Sequence, residues 1–356
     1  MKTYRAALVG LTGIGAARAS AHPLTAHPLT AAPRSHAAAY HHHPRTELVA
    51  VCDKNPAAMD QFRANWQDVW PKMAFYDDYQ TMLKEAEPDL LSVATSDHAH
   101  ADIVVAGALG SPQAILCEKP IATTLSDADR MITACSENST LLSVEHTRRW
   151  DPTFLRARQL IRSGELGPLR TMVAEMFSPR AMLMRNGIHL IDLFTFFADM
   201  DASPQWVVGD LEEGYDTQGA YTGDGGRDPG EDPFASAYIR YTKGIRVFLN
   251  SYKTTMPGWQ MQITCDTGRL ELSDRCARLI RPRSHYDWPV SDLDVSTCLY
   301  THQLGAIDEL VKALEEGSEL VCSGEEARKA LEITLAIMQS HVLGGQPVTF
   351  PIVDSE

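Results

Sequence analysis

The chain has 356 residues, more than one hydrophobic core usually serves, and this length predicts two domains. Its formal net charge of −14 opposes nonspecific binding to nucleic acid or to anionic lipid, and no apolar run approaches the roughly 20 residues that span a bilayer. Seven scattered cysteines without a CxxC pair argue against a disulfide framework or a structural zinc site, and without a signal-peptide pattern at the N-terminus we expect a cytoplasmic protein.

Short apolar runs alternate with helical stretches up to about residue 146. The runs are Ala6–Leu11, Leu48–Cys52, Leu90–Ala94, Ile115–Cys117 and Leu141–Val144. Their near-continuous apolarity is typical of parallel strands that are covered on both faces, and the alternation predicts a doubly wound α/β sheet. The segment Leu125–Asn138, with Ser126 as its candidate cap, fits a covering helix. We therefore predict a Rossmann domain over residues 1–122.

A glycine cluster, Gly10-Leu11-Thr12-Gly13-Ile14-Gly15, follows the first strand. A tight turn needs glycine where φ is positive, and also where backbone N–H groups must approach a pyrophosphate. The cluster spells GxxGxG rather than GxGxxG, because Thr12 occupies the position of the middle glycine. Despite this departure, it predicts a cofactor-binding turn made by Gly10, Thr12, Gly13, Ile14 and Gly15.

Asp53 ends the second strand, where a carboxylate accepts hydrogen bonds from the adenosine ribose hydroxyls; the alternative is a helix cap for the segment after Pro56. A carboxylate repels a 2′-phosphate, which favours NAD, while the adjacent Lys54 leaves NADP open. Asp53 follows Gly15 by 38 residues, against the roughly 20 expected. We attribute the excess to an insertion at Ala21–Thr30, where AHPLT occurs twice, with the first helix beginning near Ser35.

After Trp150 the pattern changes to α+β. Asp151 can cap a helix that runs to about Ile161, and Gly209–Pro233 has the composition of a long surface loop. Two β-hairpins are predicted, one formed by Ala235–Tyr241 with Ile245–Tyr252 and the other by Met261–Cys265 with Arg269–Leu272. A final helix, Gly324–Ser340, and a short strand, Pro347–Pro351, are predicted to follow them. Residues 123–356 are therefore predicted to form a second domain with a large, mostly antiparallel open sheet. Its C-terminal helix is a candidate to pack back on the Rossmann domain.

Three further motifs resemble those of the Gfo/Idh/MocA family of oxidoreductases, which includes glucose-fructose oxidoreductase and inositol dehydrogenases. They are Val93-Ala94-Thr95-Ser96 followed by His100, Cys117-Glu118-Lys119-Pro120, and Gly187-Ile188-His189-Leu190-Ile191-Asp192. The resemblance extends over nearly the whole chain, including Ser35–Tyr40 and Gln346–Pro351. Glu118-Lys119-Pro120 is its most specific element.

The resemblance implies an NAD(P)-dependent dehydrogenase that transfers a hydride between the nicotinamide and a secondary alcohol of a sugar, sugar acid or cyclitol. It implies that Lys119 binds the reacting hydroxyl, that His189 accepts the proton, and that the Lys119–Pro120 bond is cis. The additional cofactor contacts that it implies are Thr95, Ser96, His100, Glu118 and Lys119. It also implies an open sheet that is often used to form a homodimer or homotetramer.

The chemistry of alcohol oxidation predicts the same residue types without reference to the family. Alcohol oxidation releases a proton to a base that titrates near neutrality, as histidine does, and an ammonium such as that of Lys119 stabilises developing alkoxide charge. Asp192 lies three residues after His189 on the same helical face, where it could orient the ring or bind substrate. Taken singly, a histidine at the start of an apolar run such as Leu190–Phe197 is more often a packed residue than a base, and a lysine before a proline is usually a solvated loop residue.

The chain departs from the family pattern at Arg185, where many members carry an aspartate four residues before the histidine. An arginine clamps a carboxylate or hydrogen-bonds sugar hydroxyls, so we expect an acidic or strongly hydrogen-bonding group at that end of the substrate. Arg149 and Trp150 are candidates for substrate binding, or alternatively members of a surface ion-pair cluster. His41, His42 and His43 cannot converge on one ion, and we expect no metal.

Two other functions stay open. A family member of this kind can oxidise a sugar transiently so that a glycosidic bond or leaving group is eliminated, or it can bind the cofactor as a non-catalytic regulator.

Overall fold

The computed structural model describes residues 2–18, 34–198, 202–215, 221, 223, 228–256, 258–273, 276–295 and 300–352. The chain divides into two compact units. The first contains residues 1–151, 223–225 and 297–328, and the second contains residues 152–222, 226–296 and 329–356. The first unit thus extends beyond the predicted boundary at residue 122, because the last strand of its sheet and a later helix belong to it.

The first unit is built on a six-stranded parallel sheet with the order β3-β2-β1-β4-β5-β6. Its strands are β1 Tyr4–Val9, β2 Thr46–Cys52, β3 Ala74–Tyr76, β4 Leu90–Val93, β5 Ala114–Cys117 and β6 Leu141–Val144. Every residue of β4 and β5 is buried, as expected for strands that are covered on both faces. The doubly wound α/β fold predicted from the sequence is confirmed, and the strand order reverses between β1 and β4.

Six helices are described wholly within this unit: α1 His36–His42, α2 Pro56–Trp66, α3 Tyr79–Ala86, α4 His100–Ala108, α5 Leu125–Glu137 and α8 His302–Glu316. The predicted start of α1 is confirmed, since Ser35 is its N-cap and accepts from the N–H of Ala38 at 3.1 Å. The predicted cap of α5 is wrong. Thr124, and not Ser126, is the N-cap, because its hydroxyl accepts from the N–H of Asp127 at 3.1 Å.

The second unit is built on a nine-stranded sheet with the order β14-β13-β12-β11-β7-β10-β9-β8-β15. Its strands are β7 Leu169–Phe177, β8 Pro204–Leu211, β9 Ala235–Tyr241, β10 Arg246–Tyr252, β11 Gly258–Cys265, β12 Arg269–Ser273, β13 Ala277–Ile280, β14 Val290–Asp292 and β15 Val348–Thr349. All neighbouring pairs are antiparallel except β7 with β10. Both predicted hairpins and the mostly antiparallel sheet are confirmed.

Helices cover one face of this sheet, and buried and more exposed residues therefore alternate along β9 and β10. The helices are α6 Pro152–Arg162, α7 Ile188–Ala198 and the part of α9 (Gly324–Val342) from residue 329 onward. At Gly209 a Cβ would lie 2.6 Å from the carbonyl oxygen of Ile337, so only glycine allows α9 to approach the strand this closely.

Two irregular segments were predicted. The surface loop begins later than the predicted Gly209, because β8 continues to Leu211, which pairs with Ala235. Part of that loop and the AHPLT segment lie outside the described residues. Within the portion of the chain that the structure describes, no helix combines the length and apolarity that crossing a bilayer requires.

Candidate functional site

Four loops of the first unit leave the carboxyl edge of the parallel sheet and carry most of the predicted site residues. They follow β1, β4, β5 and β6, which are consecutive neighbours in the sheet. In open α/β sheets a dinucleotide binds outside the carboxyl ends of the strands, at the point where the strand order reverses. Here that point lies between β1 and β4, and the glycine turn follows β1.

The glycine turn is tightly packed at both ends. Gly10 has φ +97°, and a Cβ at this position would lie 2.3 Å from the carbonyl oxygen of Ala94. A Cβ on Gly15 would lie 2.2 Å from the carbonyl oxygen of Gly10. Both distances are shorter than any Cβ contact allows. These two glycines let the turn close against the loop after β4.

The middle of the turn faces open space. Thr12, Gly13 and Ile14 are exposed, and a Cβ on Gly13, at φ +45°, would meet nothing within 4 Å. The turn is closed by Gly15, whose N–H donates to the carbonyl of Thr12 at 2.9 Å. A short exposed stretch of backbone at the switch point of the sheet fits a pyrophosphate, which is bound by N–H groups and needs no side chains.

Asp53 lies beside this turn in spite of its distance along the chain. One carboxylate oxygen accepts from the N–H of Leu11 at 2.8 Å, and the other accepts from the N–H of Asn55 at 2.8 Å. The alternative role as a helix cap is wrong, because Asn55 caps α2. Asp53 is half-buried and Lys54 is exposed, so burial leaves both side chains accessible beside the turn.

A buried chain of hydrogen bonds supports Glu118, the first residue of the Glu118-Lys119-Pro120 motif. Tyr40 Oη lies 2.8 Å from Ser92 Oγ, and His36 Nδ1 lies 3.0 Å from the same hydroxyl. His36 Nε2 lies 3.2 Å from Glu118 Oε1, and the N–H of Lys119 donates to Glu118 Oε2 at 3.3 Å. A ring protonated on Nε2 satisfies all of these contacts. Two residues of the Ser35–Tyr40 segment, His36 and Tyr40, thus take part in the hydrogen bonds that hold Glu118 in place.

Lys119 follows at the same edge and is only 8% exposed. The predicted cis bond between Lys119 and Pro120 is confirmed.

His100 takes a different position from the one predicted for a cofactor contact. Its ring is fully buried, with Nδ1 2.9 Å from the carbonyl oxygen of Pro120 and Nε2 3.3 Å from that of Thr95. Burial lowers the pKa of His100, so the ring is neutral and donates through one nitrogen. His100 therefore connects the loop after β4, which carries the half-buried Thr95 and Ser96, to the loop after β5. We assign it a positioning role.

Glu145 was missed by the sequence analysis. It follows β6 directly, its residue is 1% exposed, and its N–H donates to the carbonyl of Cys117 at 2.8 Å. Burial raises the pKa of Glu145 to about 8, and the negative charge of Glu118 adds to this effect. The available signal was its position, since it follows an apolar strand at the edge where Lys119 also lies.

Arg149 and Trp150 lie at the end of the first unit, and the structure does not place them on its surface. The guanidinium of Arg149 is buried and donates to the carbonyl of Val321 at 2.7 Å and to Glu326 at 3.3 Å. Trp150 is 6% exposed and packs on Gly305, where a Cβ would lie 2.8 Å from that of Trp150. These contacts favour a structural role for Arg149 and Trp150 over substrate binding. The alternative prediction of a surface ion-pair cluster is wrong, because both residues are buried.

The second unit carries Arg185, His189 and Asp192 on one continuous helical segment. Arg185 lies in a π-helix, Leu183–Gly187, that leads into α7, and the carboxylate of Asp232 accepts from the N–H groups of Met184 and Arg185, both at 3.0 Å. Arg185 and His189 are half-buried, whereas Asp192 is 1% exposed. The buried Asp232, which the sequence analysis did not single out, thus fixes the start of the segment.

No group of three or more His, Cys, Asp or Glu side chains among the described residues is arranged to hold a metal ion. His41 and His42 close α1, and His43 caps it.

Comparison with known proteins gives three kinds of match. A family model described as "Oxidoreductase family, NAD-binding Rossmann fold" matches residues 29–146. Among curated proteins, the inositol 2-dehydrogenase of Salmonella typhimurium is 26% identical over 270 residues, covering 70% of this chain and 74% of that protein. The D-apiose dehydrogenase of Paraburkholderia graminis is 31% identical over 182 residues, covering 47% of each.

Solved structures show the same fold over nearly the full length. An oxidoreductase from Agrobacterium radiobacter, crystallised with NAD+, L-tartaric acid and magnesium, superimposes with a TM-score of 0.74. The two chains are 18% identical, and the match covers 98% of each.

Proposed function

We propose that this chain is a member of the Gfo/Idh/MocA family of oxidoreductases and that it transfers a hydride between NAD and a secondary alcohol of a sugar, sugar acid or cyclitol. The observation that carries the proposal is the arrangement at one sheet edge. Asp53 is hydrogen-bonded to the glycine turn, and Lys119 follows β5 at the same carboxyl edge of the sheet. The relatives that are named as inositol and apiose dehydrogenases support the substrate class.

In this proposal the exposed backbone of Thr12, Gly13 and Ile14 binds the pyrophosphate, and Asp53 accepts from the ribose hydroxyls. Thr95, Ser96 and Glu118 line the path toward the nicotinamide. Bound NAD supplies the hydride acceptor. The described contacts fit this cofactor, because the turn leaves room at Gly13 and Asp53 keeps acceptor capacity after its two backbone hydrogen bonds.

Lys119 and His189 have separate roles in the reaction. The ammonium of Lys119 donates to the reacting hydroxyl and stabilises its developing negative charge, and the imidazole of His189 takes the proton. Asp192, three residues later on α7, orients the ring or binds the substrate.

The proposal is tested by screening sugars, sugar acids and inositols with NAD and with NADP, and by following absorbance of the reduced nicotinamide. We expect a substrate that produces NADH. Turnover without net NADH, with cofactor retained on the protein, would instead support transient oxidation. No turnover with any compound, together with ligand-dependent capture of a partner protein, would support a regulator.

Replacing Asp53 by asparagine is expected to lower the preference for NAD over NADP about tenfold. Asparagine keeps an acceptor oxygen for the Leu11 N–H but removes the charge that repels a 2′-phosphate and strengthens the hydrogen bonds to ribose. The measurement is kcat/KM with each cofactor at saturating substrate. Asp60→Asn, an exposed change on α2, is the control, and an unchanged ratio in Asp53→Asn would remove Asp53 from the cofactor site.

Replacing Arg185 by alanine is expected to lower kcat/KM about ten- to a hundredfold, because charge-assisted hydrogen bonds to an acidic or polyhydroxy group of the substrate are lost. The backbone N–H of Arg185 still donates to Asp232, so the π-helix is retained. Arg278→Ala, on an exposed position of β13 in the same unit, is the control. An unchanged kcat/KM for the best substrate would contradict this role.

We further propose that the exposed face of the second sheet forms the contact of a homodimer or homotetramer. Trp206, Tyr238 and Phe248 form an aromatic row across β8, β9 and β10, with ring centroids 5.2 and 4.9 Å apart, and Phe248 is 39% exposed. Phe248→Glu is expected to raise the dissociation constant at least about tenfold by light scattering. Leu109→Glu, on the first unit, is the control, and an unchanged mass distribution in Phe248→Glu would place the contact elsewhere.

A further inference from the structure

The helical segment that carries Arg185 and His189 begins without a cap of its own. Met182 is the N-cap residue, but methionine has no side-chain oxygen and makes no capping hydrogen bond here. The first N–H groups of a helix have no partner within the helix, and a buried N–H without an acceptor is costly. Leu183 and Met184, which open the segment, are both buried. Their acceptors must therefore come from another part of the chain.

The two residues that precede Phe234 and strand β9 supply these acceptors. The carbonyl oxygen of Pro233 accepts from the N–H of Leu183 at 2.7 Å. The two carboxylate oxygens of the buried Asp232 accept from the next two N–H groups of the segment, both at 3.0 Å. A carboxylate is a stronger acceptor than a neutral group, and its charge is favourable at a helix N-terminus. Asp232 thus caps a helical segment that is distant from it in the sequence.

The capped turn has π geometry. The carbonyl oxygen of Met182 accepts from the N–H of Asn186 at 3.0 Å and from that of Gly187 at 2.7 Å, and the second bond closes the wider turn. Single π turns within helices are rare and occur frequently at functional sites. Arg185 lies within the turn and His189 in the helix that follows, so their relative position depends on the turn being kept.

The backbone beside Asp232 is itself attached to other parts of the second unit. The ammonium of Lys253, directly after β10, donates to the carbonyl of Pro229 at 2.5 Å. The hydroxyl of Tyr215 donates to the carbonyl of Glu231 at 3.1 Å. These two hydrogen bonds support the chain that leads to Asp232, so its carboxylate is presented to the helical segment from a held backbone.

We propose that Asp232 is a positioning residue for Arg185, and that it holds the backbone of Arg185 so that the side chain binds the substrate at a fixed distance from His189. In its consequence for the substrate, the inference rests on the proposed function of Arg185. Without the carboxylate, the N–H groups of Met184 and Arg185 lose their acceptors, and the turn that carries Arg185 opens. The substrate group that Arg185 binds is then held less tightly.

The first test is hydrogen–deuterium exchange of the full-length protein, resolved at the amides of residues 184 and 185. Both amides should be protected in the native protein. Asp232→Asn keeps one acceptor oxygen but turns an amide N–H₂ group toward the second backbone N–H, so we expect these amides to exchange about tenfold faster. The amides of β9 should keep their native rates. Native rates at both residues, or an equal rise throughout the second unit, would overturn the proposal.

Glu231→Gln is the matched control for the exchange measurement. It neutralises a carboxylate of the adjacent residue, whose side chain is exposed, and it leaves the backbone carbonyl that accepts from Tyr215 in place. The amides of residues 184 and 185 should exchange at their native rates in this variant. A rise equal to that in Asp232→Asn would show that the Asp232 carboxylate is not the group responsible.

The second test is a double-mutant cycle with the best substrate of the dehydrogenase screen. Because Asp232 holds the backbone of Arg185, Asp232→Asn should raise KM about tenfold and change kcat less than about threefold. In the Arg185→Ala background the same replacement should change KM little, because the side chain that Asp232 positions is absent. A residue that only stabilises the fold would have the same effect on KM in both backgrounds, and that result would overturn the proposal.

Asp232→Ser provides a second variant if Asp232→Asn does not fold. Serine is a common N-cap residue, but its single hydroxyl oxygen replaces two carboxylate oxygens, so at least one of the two amides should exchange faster. A folded Asp232→Ser protein with native exchange at both amides overturns the proposal.

The kinetic outcomes separate this inference from the proposed function. An unchanged KM in Arg185→Ala alone would contradict substrate binding by Arg185, and with it the inference. A raised KM in Arg185→Ala without any change in Asp232→Asn would overturn the inference and leave the proposed function standing. The exchange measurement uses no substrate, so its outcome does not depend on the screen.

Discussion

Replacing Lys119 by methionine is expected to lower kcat/KM about a thousandfold. Removal of one donor that stabilises a developing oxyanion commonly costs two to three orders of magnitude, and methionine keeps the length of the side chain without its charge. The fold should be retained, because Glu118 still accepts from the backbone N–H of residue 119 and His100 still contacts Pro120. The measurement is NADH formation with the best substrate of the screen.

Lys84→Met is the matched control, since Lys84 is exposed in the last turn of α3 in the same unit. NADH affinity, measured by fluorescence titration, should stay within a few-fold in both variants. A Lys119→Met enzyme that retains native kcat/KM would exclude Lys119 from the reaction.

The second large effect is expected for His189→Asn, with kcat lowered about a hundred- to ten-thousandfold. General-base catalysis contributes a factor of this size, and asparagine keeps hydrogen-bonding capacity but cannot accept the proton. His189 lies in the first turn of α7, behind the π-helix that Asp232 fixes, so the backbone position should not change.

His341→Asn controls for the loss of an imidazole in the same unit, because His341 lies at the end of α9 and contacts Asp210. The fall of kcat toward acid pH should also weaken in His189→Asn and persist in His341→Asn. Persistence of both kcat and its pH dependence in His189→Asn would mean that another group takes the proton.

Much of the first unit could be predicted from the sequence because its signals are local. Strands buried on both faces appear as continuous apolar runs, and Gly10 and Gly15 stand where a Cβ would collide with backbone at 2.3 and 2.2 Å. The position of Asp53 followed from its place at the end of a strand. It did not depend on the length of the intervening chain, because the register of β1 with β2 brings Cys52 opposite Val9.

Other features depend on contacts between distant parts of the chain, and local patterns do not record them. Glu145 follows an apolar strand as Glu118 does, but only the packed structure shows that His36 contacts the carboxylate of Glu118 and that the Thr147 hydroxyl donates to the carboxyl group of Glu145. No local pattern around His100 indicates that two carbonyl groups enclose its ring. The cap of α5 was misassigned by two residues because Thr124 and Ser126 both have the required chemistry.

The hydrogen-bonded row of Tyr40, Ser92, His36 and Glu118 constrains how this protein can diverge. Its four members come from α1, β4 and the loop after β5, and each has an exposed fraction of 5% or less. A single replacement leaves a polar partner buried without its bond, at a cost of about 1–3 kcal/mol, whereas an apolar exchange of both partners is nearly neutral. Evolutionary change at these positions should therefore occur in pairs, and homologues that lack His36 should carry a compensating residue at position 92 or 118.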